Sequence, residues 1–223
     1  MPDLVTRPRN AVECSLLIPK MRALPLYAQM SQLNAEISMV HPDVLALLHH
    51  FAGLTTGDIL ELGPYVGGTT IAMAWALMDK SNTRKIVSVE MGGEHLSHPT
   101  VPSKDIIADL KKNLAHHKVA SRVQIIHGHS RDPQVVSKAA VACDAGAYSL
   151  FLLDSDGDVK HDWELYSPQL APDCLLAFDD YFSPVSWDKE LATKGFVDEL
   201  EREGRIRCFG VYGWGTWIGE ICH

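Results

Sequence analysis

Apolar positions along the chain follow two rhythms that alternate from His41 onward. Val44, Leu47, Leu48 and Phe51 recur at helical spacing and predict a helix over 44–51. The Gly57-Asp58 turn then leads into a short apolar run, 59–62, which predicts a buried strand. The same alternation continues with a helix over 70–78, apolar on all sides, a strand over 86–90, a helix over 103–116 opened by a Ser103 cap, and a strand over 123–127. Further on come a helix over 132–141, a strand over 149–153, a helix over 161–170 and a strand over 174–178. A charged helix over 188–203 should stop at Gly204, as a C-cap glycine stops one. Two last strands, 206–212 and 216–221, flank Gly213-Trp214-Gly215 and should pair as a hairpin.

This order of elements predicts an α/β protein: a doubly wound, mostly parallel, seven-stranded sheet with one antiparallel strand from the C-terminal hairpin. Residues 1–40, with several prolines and scattered methionines, read as an irregular arm carrying one helix near 26–37, a strap, a lid or a dimer element; residues 41–223 form the main domain. A length of 223 residues suits one sizeable core and not two. The formal charge of -8 and the pI near 5.7 disfavour a nucleic-acid partner, which clustered Lys and Arg would meet. Five scattered cysteines without a CxxC pair argue against a disulfide framework and for a cytoplasmic protein. The polar N-terminus and the lack of a long uncharged apolar run imply no membrane partner.

Ligands on such sheets sit at the carboxyl ends of the strands. The first end reads Glu61-Leu62-Gly63-Pro64-Tyr65-Val66-Gly67-Gly68-Thr69-Thr70, where glycines allow close backbone approach and the next helix offers free N–H groups. Its G-x-x-x-G-G spacing disfavours a dinucleotide turn. With an acidic residue two before the first glycine, this segment resembles the E-L-G-x-x-x-G signature of class I S-adenosylmethionine-dependent methyltransferases, whose fold is Rossmann-like. The resemblance implies S-adenosylmethionine (SAM) as cofactor, bound by Glu61, Gly63, Tyr65, Gly67, Gly68, Thr69, Glu90 and Asp154, with Gly128, His129 and Ser130 bordering the adenine. Glu90, ending the second strand, can accept hydrogen bonds from both hydroxyls of a ribose.

Asp154 ends one predicted strand and Asp179-Asp180 the next. Parallel neighbours lie about 4.8 Å apart, which brings these carboxylates together. Clustered anions repel unless a cation or a proton intervenes, and hard oxygen ligands suit Mg²⁺. The stretch from Leu153 to Asp180, with Leu165-Tyr166-Ser167-Pro168 in its middle, resembles the metal-dependent small-molecule O-methyltransferases: catechol and caffeoyl-coenzyme A types and antibiotic-tailoring relatives. That resemblance, over roughly 41–183, implies Asp154, Asp179 and Asp180 as ligands of Mg²⁺ or another divalent cation.

Two positions depart from the pattern. Gly157 stands where catechol-type members carry a Lys base, which leaves Lys160 and His161 as the nearest candidate bases. Asp180 replaces an Asn, which fits the antibiotic-tailoring branch better. Tyr181, Trp187, Met30, Met39 or Tyr65 are candidate walls of an acceptor pocket.

The expected activity is methyl transfer from SAM to a hydroxyl oxygen of a natural-product or catechol-like acceptor, in a possible homodimer. A metal-independent enzyme of the same fold is the first alternative. Asp154-Ser155-Asp156-Gly157-Asp158 fails as a calcium loop, with Val159 in place of its glycine and Leu165 in place of its final glutamate. A haloacid-dehalogenase-like phosphatase would need most of its core after Asp154, where only 155–223 remain. A non-catalytic binding module would have no need of the glycine turn, Glu90 and three aspartates together.

Overall fold

The computed structural model describes residues 7–78, 83–155, 158–182 and 188–222. Asp156, Gly157 and Trp187 lie outside them. The described residues form helices α1 (Ala11–Arg22), α2 (Pro25–Glu36) and α3 (Pro42–Leu54), then β1 (Asp58–Leu62), α4 (Gly68–Ala76), β2 (Ile86–Glu90), α5 (Ile106–His116) and β3 (Val123–His127). There follow α6 (Pro133–Ala142), β4 (Tyr148–Leu153), α7 (Val159–Tyr166), β5 (Leu170–Phe178), α8 (Asp188–Arg202), β6 (Ile206–Tyr212) and β7 (Thr216–Ile221).

The seven strands lie in one sheet in the order β3-β2-β1-β4-β5-β7-β6, with β7 antiparallel to both its neighbours and the rest parallel. The expected doubly wound sheet is therefore observed, hairpin included. Strand residues alternate between two cores as their side chains alternate between the faces. Ile59, Ile86, Leu150, Leu152 and Ala177 pack under α1–α4, whereas Leu60, Leu62, Val89, Leu153 and Phe178 pack with residues of α6–α8. Burial on both faces explains why these strands read as continuous apolar runs.

Three expectations are corrected. The arm carries two helices rather than one: Cys14, Leu17 and Met21 of α1 are buried at helical spacing in the same core as α3. The fifth helix is capped not by Ser103 but by Asp105, whose carboxylate accepts from Ala108 N at 2.9 Å; Ser103 instead donates to Asp109. The seventh helix stops at Tyr166 because Pro168 cannot extend it, and a short 3₁₀ turn, Ser167–Gln169, hands the chain to β5 earlier than expected.

Candidate active site

Each strand end hands one more rung of the ladder to the loop that follows. Gly63 N donates to Val89 O, Gly128 N to Glu90 O, Asp154 N to Leu62 O and Asp179 N to Leu153 O, all at 2.9–3.0 Å. This continuation of the parallel pairing carries the residues just past β1, β3, β4 and β5 to one edge.

The first turn is held from beneath by Glu61. Its carboxylate is fully buried and accepts from the hydroxyls of Thr69, Thr70 and Ser88, the last two at 2.6 and 2.7 Å. Burial raises its pKa, and the three hydroxyl donors oppose that shift. Glu61 and Thr69 thus tie β1 to the first turn of α4, at the end where the helix dipole favours negative charge. Neither lines the cavity described below. The glycines of the turn are required by the protein's own packing. At Gly63, with φ of +80°, a Cβ would lie 1.9 Å from the Asp154 carbonyl oxygen; at Gly67, φ +99°, it would press on Leu110.

Above this turn opens a cavity of about 380 Å³, lined by Gly63, Tyr65, Glu90, His95, Gly128, His129, Ser130 and Asp154, among others. Glu90 stands in it with both oxygens oriented by backbone donors: Oε2 accepts from Tyr65 N at 3.0 Å and Oε1 from Gly92 N at 2.8 Å. Burial raises the Glu90 pKa, and these N–H groups counter the rise. Tyr65, itself at φ +52°, anchors its hydroxyl on Val101 O and packs edge-on against His95. Asp162 of α7 is fully buried and accepts from Ser130 Oγ at 2.7 Å and from Ser155 Oγ, two residues that line the cavity. Tyr166 donates to Ser130 O at 2.7 Å. Asp162 and Tyr166 fix the loops after β3 and β4, a role the strand-end reasoning missed because both sit within a helix.

Asp154, Asp179 and Asp180 meet at the edge as expected, with one carboxylate oxygen of each lying within 4.8 Å of the others. Thr216 of β7 donates to Asp179, so the hairpin positions this carboxylate. Burial, together with Asp154 and Asp180, pushes the Asp179 pKa up to about 7. Asp180 holds a left-handed backbone, φ +53°, unusual for a residue with a Cβ.

A cation not foreseen from the sequence stands among them. Lys189, in the first turn of α8, places Nζ 3.3 Å from Asp154 Oδ1 and in contact with Asp180 Oδ2. Burial disfavours its charge, but the surrounding aspartates outweigh this and leave its pKa above the ordinary lysine value.

A second cavity, about 850 Å³, adjoins the triad and is walled by Met39, Val40 and His41, by Asp179 to Phe182, by Glu190, and by the hairpin from Val211 to Thr216. Tyr181 takes the place expected of it as a wall and donates to Asp198 Oδ1 at 2.8 Å. Met39 lines both cavities, whereas Tyr65 lines the first alone and Met30 is sealed in the core. The hairpin clamps the segment after β5: Gly215 O accepts from Tyr181 N and Phe182 N, and a Cβ at Gly215 would collide with Phe182 O.

The two candidate bases lie elsewhere. Lys160 lines a groove between α7 and α8 with Trp163, Phe196 and Glu199, and His161 is half-exposed with Nδ1 3.6 Å from Asp158. Neither lines either cavity of the site.

A family model described as a methyltransferase domain matches residues 60–181, more than half of the chain. No curated protein sequence matches. Among solved structures, the chain resembles the O-methyltransferase TomG of Streptomyces achromogenes, in complex with SAM, at 14% identity and TM-score 0.63 over 92% of this chain and 95% of that one. It resembles the O-methyltransferase of Bacillus cereus, in complex with S-adenosylhomocysteine (SAH), at 15% identity and TM-score 0.65 over 93% and 97%. SAH-bound PaMTH1 of Podospora anserina shares 16% identity at TM-score 0.65 over 98% and 99%. These likenesses concern the fold, while the domain match takes in the end of β1, the glycine turn, Glu90 and all three aspartates: the chain belongs to the methyltransferase-domain family.

Proposed function

We propose that this protein transfers the methyl group of SAM to a hydroxyl oxygen of a small molecule. The observation that carries this reading is the pairing of two cavities across one strand edge. The first holds Glu90 with its carboxylate already oriented, and the second opens on Asp179 and Asp180. A volume near 380 Å³ is within the range of small-molecule sites. Glu90 would hold the ribose, His129 and Ser130 the base, and Gly63 and Asp154 the edge next to the acceptor. That TomG and the Bacillus cereus protein carry the name O-methyltransferase supports oxygen as the methylated atom.

SAM supplies a methyl group already activated by its sulfonium. The chain has then chiefly to place an acceptor oxygen in line with it, and positioning of this kind is worth several kcal/mol of barrier. Met39 is shared by both walls, and Tyr181 and the hairpin wall the second cavity beside the triad. Asp179 and Asp180 line the second cavity and would be the carboxylates nearest an acceptor hydroxyl bound there. Three hard, converging oxygens fit a divalent cation such as Mg²⁺, held by Asp154, Asp179 and Asp180. Bound there, the ion would supply Lewis acidity that lowers the pKa of the acceptor hydroxyl.

The test is transfer of labelled methyl from SAM to a panel of vicinal diols, catechols and polyhydroxylated scaffolds, with and without chelator, alongside calorimetric titration of SAH. Absence of SAH binding would overturn the reading. Binding with full turnover in chelator would leave a metal-independent methyltransferase.

A further inference from the structure

Lys189 is a feature of the acidic edge that the proposed reaction has not used. It reaches the triad from the first turn of α8, a different element from those that carry the three aspartates. Its Nζ contacts Oδ1 of Asp154 and Oδ2 of Asp180, so it occupies two of the three carboxylates a metal ion would need. Its side chain is two-thirds buried, and it also lines the first cavity. A Mg²⁺ ion demands its ligand oxygens at about 2.0–2.1 Å in near-octahedral array. An ammonium already on those oxygens lies too close to share them, and like charges at that separation repel strongly.

We propose that Lys189 is a resident counter-ion of the triad, and that a divalent cation enters only by displacing its ammonium from Asp154 and Asp180. Lys189 thereby sets the metal affinity of the site and keeps it low. The triad has two cationic states, one supplied by the chain and one by the solvent. This rests on the reading of the three aspartates as a cation site, and it holds whatever the acceptor is.

Mn²⁺ titrated into the full chain, followed by loss of the free-ion paramagnetic resonance signal, reads the exchange directly. Lys189→Met should bind one Mn²⁺ at least about tenfold more tightly than wild type, because the competitor is gone. Lys189→Arg, which keeps the charge, should remain within about threefold of wild type. Lys189→Gln keeps polar contact without charge and should side with Lys189→Met, which preserves the comparison if the methionine variant does not fold. A second readout is thermal: Mn²⁺ should raise the melting temperature of Lys189→Met more than that of wild type. Equal affinity in wild type and the uncharged variants, or no Mn²⁺ binding in any of them, would overturn the proposal. SAH titrated into the same wild-type sample keeps the two readings apart. Loss of SAH binding counts against methyl transfer, whereas equal Mn²⁺ affinities count against Lys189 alone.

Discussion

Replacing Glu90 by alanine tests the cofactor cavity at the point where the structure is most specific. A carboxylate offers about four lone-pair sites. In the free protein Tyr65 N at 3.0 Å and Gly92 N at 2.8 Å each take one, and the Met91 N–H also favours the charged carboxylate, with lone pairs still left for ribose hydroxyls. Hydrogen bonds to a charged group run about 1.5–3 kcal/mol each, and water entering the gap recovers part of that; a loss of about 2–4 kcal/mol in SAH binding follows. That corresponds to roughly a 30- to 1,000-fold weaker Kd. The same change strips an acceptor from two backbone N–H groups at a site that is 8% exposed, which should cost about 1–3 kcal/mol of stability. A chain of this length would then melt roughly 2–12 °C lower. Glu90→Gln keeps the size and one carbonyl acceptor and should fall between the two. The assay is calorimetry with SAH, paired with thermal melts of the free protein. An SAH affinity within about threefold of wild type, in a variant whose melt is also unchanged, would refute the assignment of Glu90 and the account of its two donors.

Gly63→Ala should destabilise the fold by roughly 3 kcal/mol or more, since it adds strain at φ +80° to a Cβ contact of 1.9 Å with the Asp154 carbonyl; a melt within 1 °C of wild type, set against the scale of several degrees per few kcal/mol, would contradict this. Asp162→Ala removes the acceptor of Ser130 and Ser155 and should weaken SAH binding about tenfold without touching the ligand, as calorimetry would read; Asp162→Asn should restore part of it. In chelator, Asp179 should make stability depend on pH. Its folded pKa, near 7, lies above its unfolded value, so its contribution is fully present below about pH 4 and is lost as pH rises through 7. Asp179→Asn should flatten the melting temperature between those limits, and an unchanged slope would speak against the burial of this carboxyl. Lys160→Ala and His161→Ala should keep near-wild-type turnover and pH profile, since neither side chain lines the site, and a large drop in labelled-methyl transfer for either would show that the base was sought in the wrong place.

The sheet was legible because its inner strands are buried on both faces and most of its helices on one, so the two periods stood out from residue 41 onward. The aspartates were legible for a topological reason: any residue one past a parallel strand lands at the same edge, and Asp154 and Asp179 are such residues. α1 was hidden by Pro19 within it, although Cys14, Leu17 and Met21 carry the helical spacing that would have shown it. Lys189 and Asp162 were illegible for another reason. Both reach the site from helices, where the angle at which the helix crosses the sheet decides what a long side chain meets, and no local pattern records that angle. Gly63 and Gly67 were singled out for backbone approach to a ligand, and the structure adds a second constraint that the sequence did not show, packing against Asp154 and Leu110.

The two cavities draw on different stretches of chain. The one holding Glu90 is walled almost wholly by residues from Gly63 to Ser155, the other by Met39 to His41, by the segment after β5 and by the last hairpin, and Met39 is the residue that both share. If the first cavity takes the donor and the second the acceptor, as proposed, their preferences are encoded in separable portions of the sequence. Exchanging residues 40–41 and 211–216 for those of a relative should then retune which molecule is methylated while leaving the walls of the first cavity in place, with Met39 as the seam at which any such graft must match.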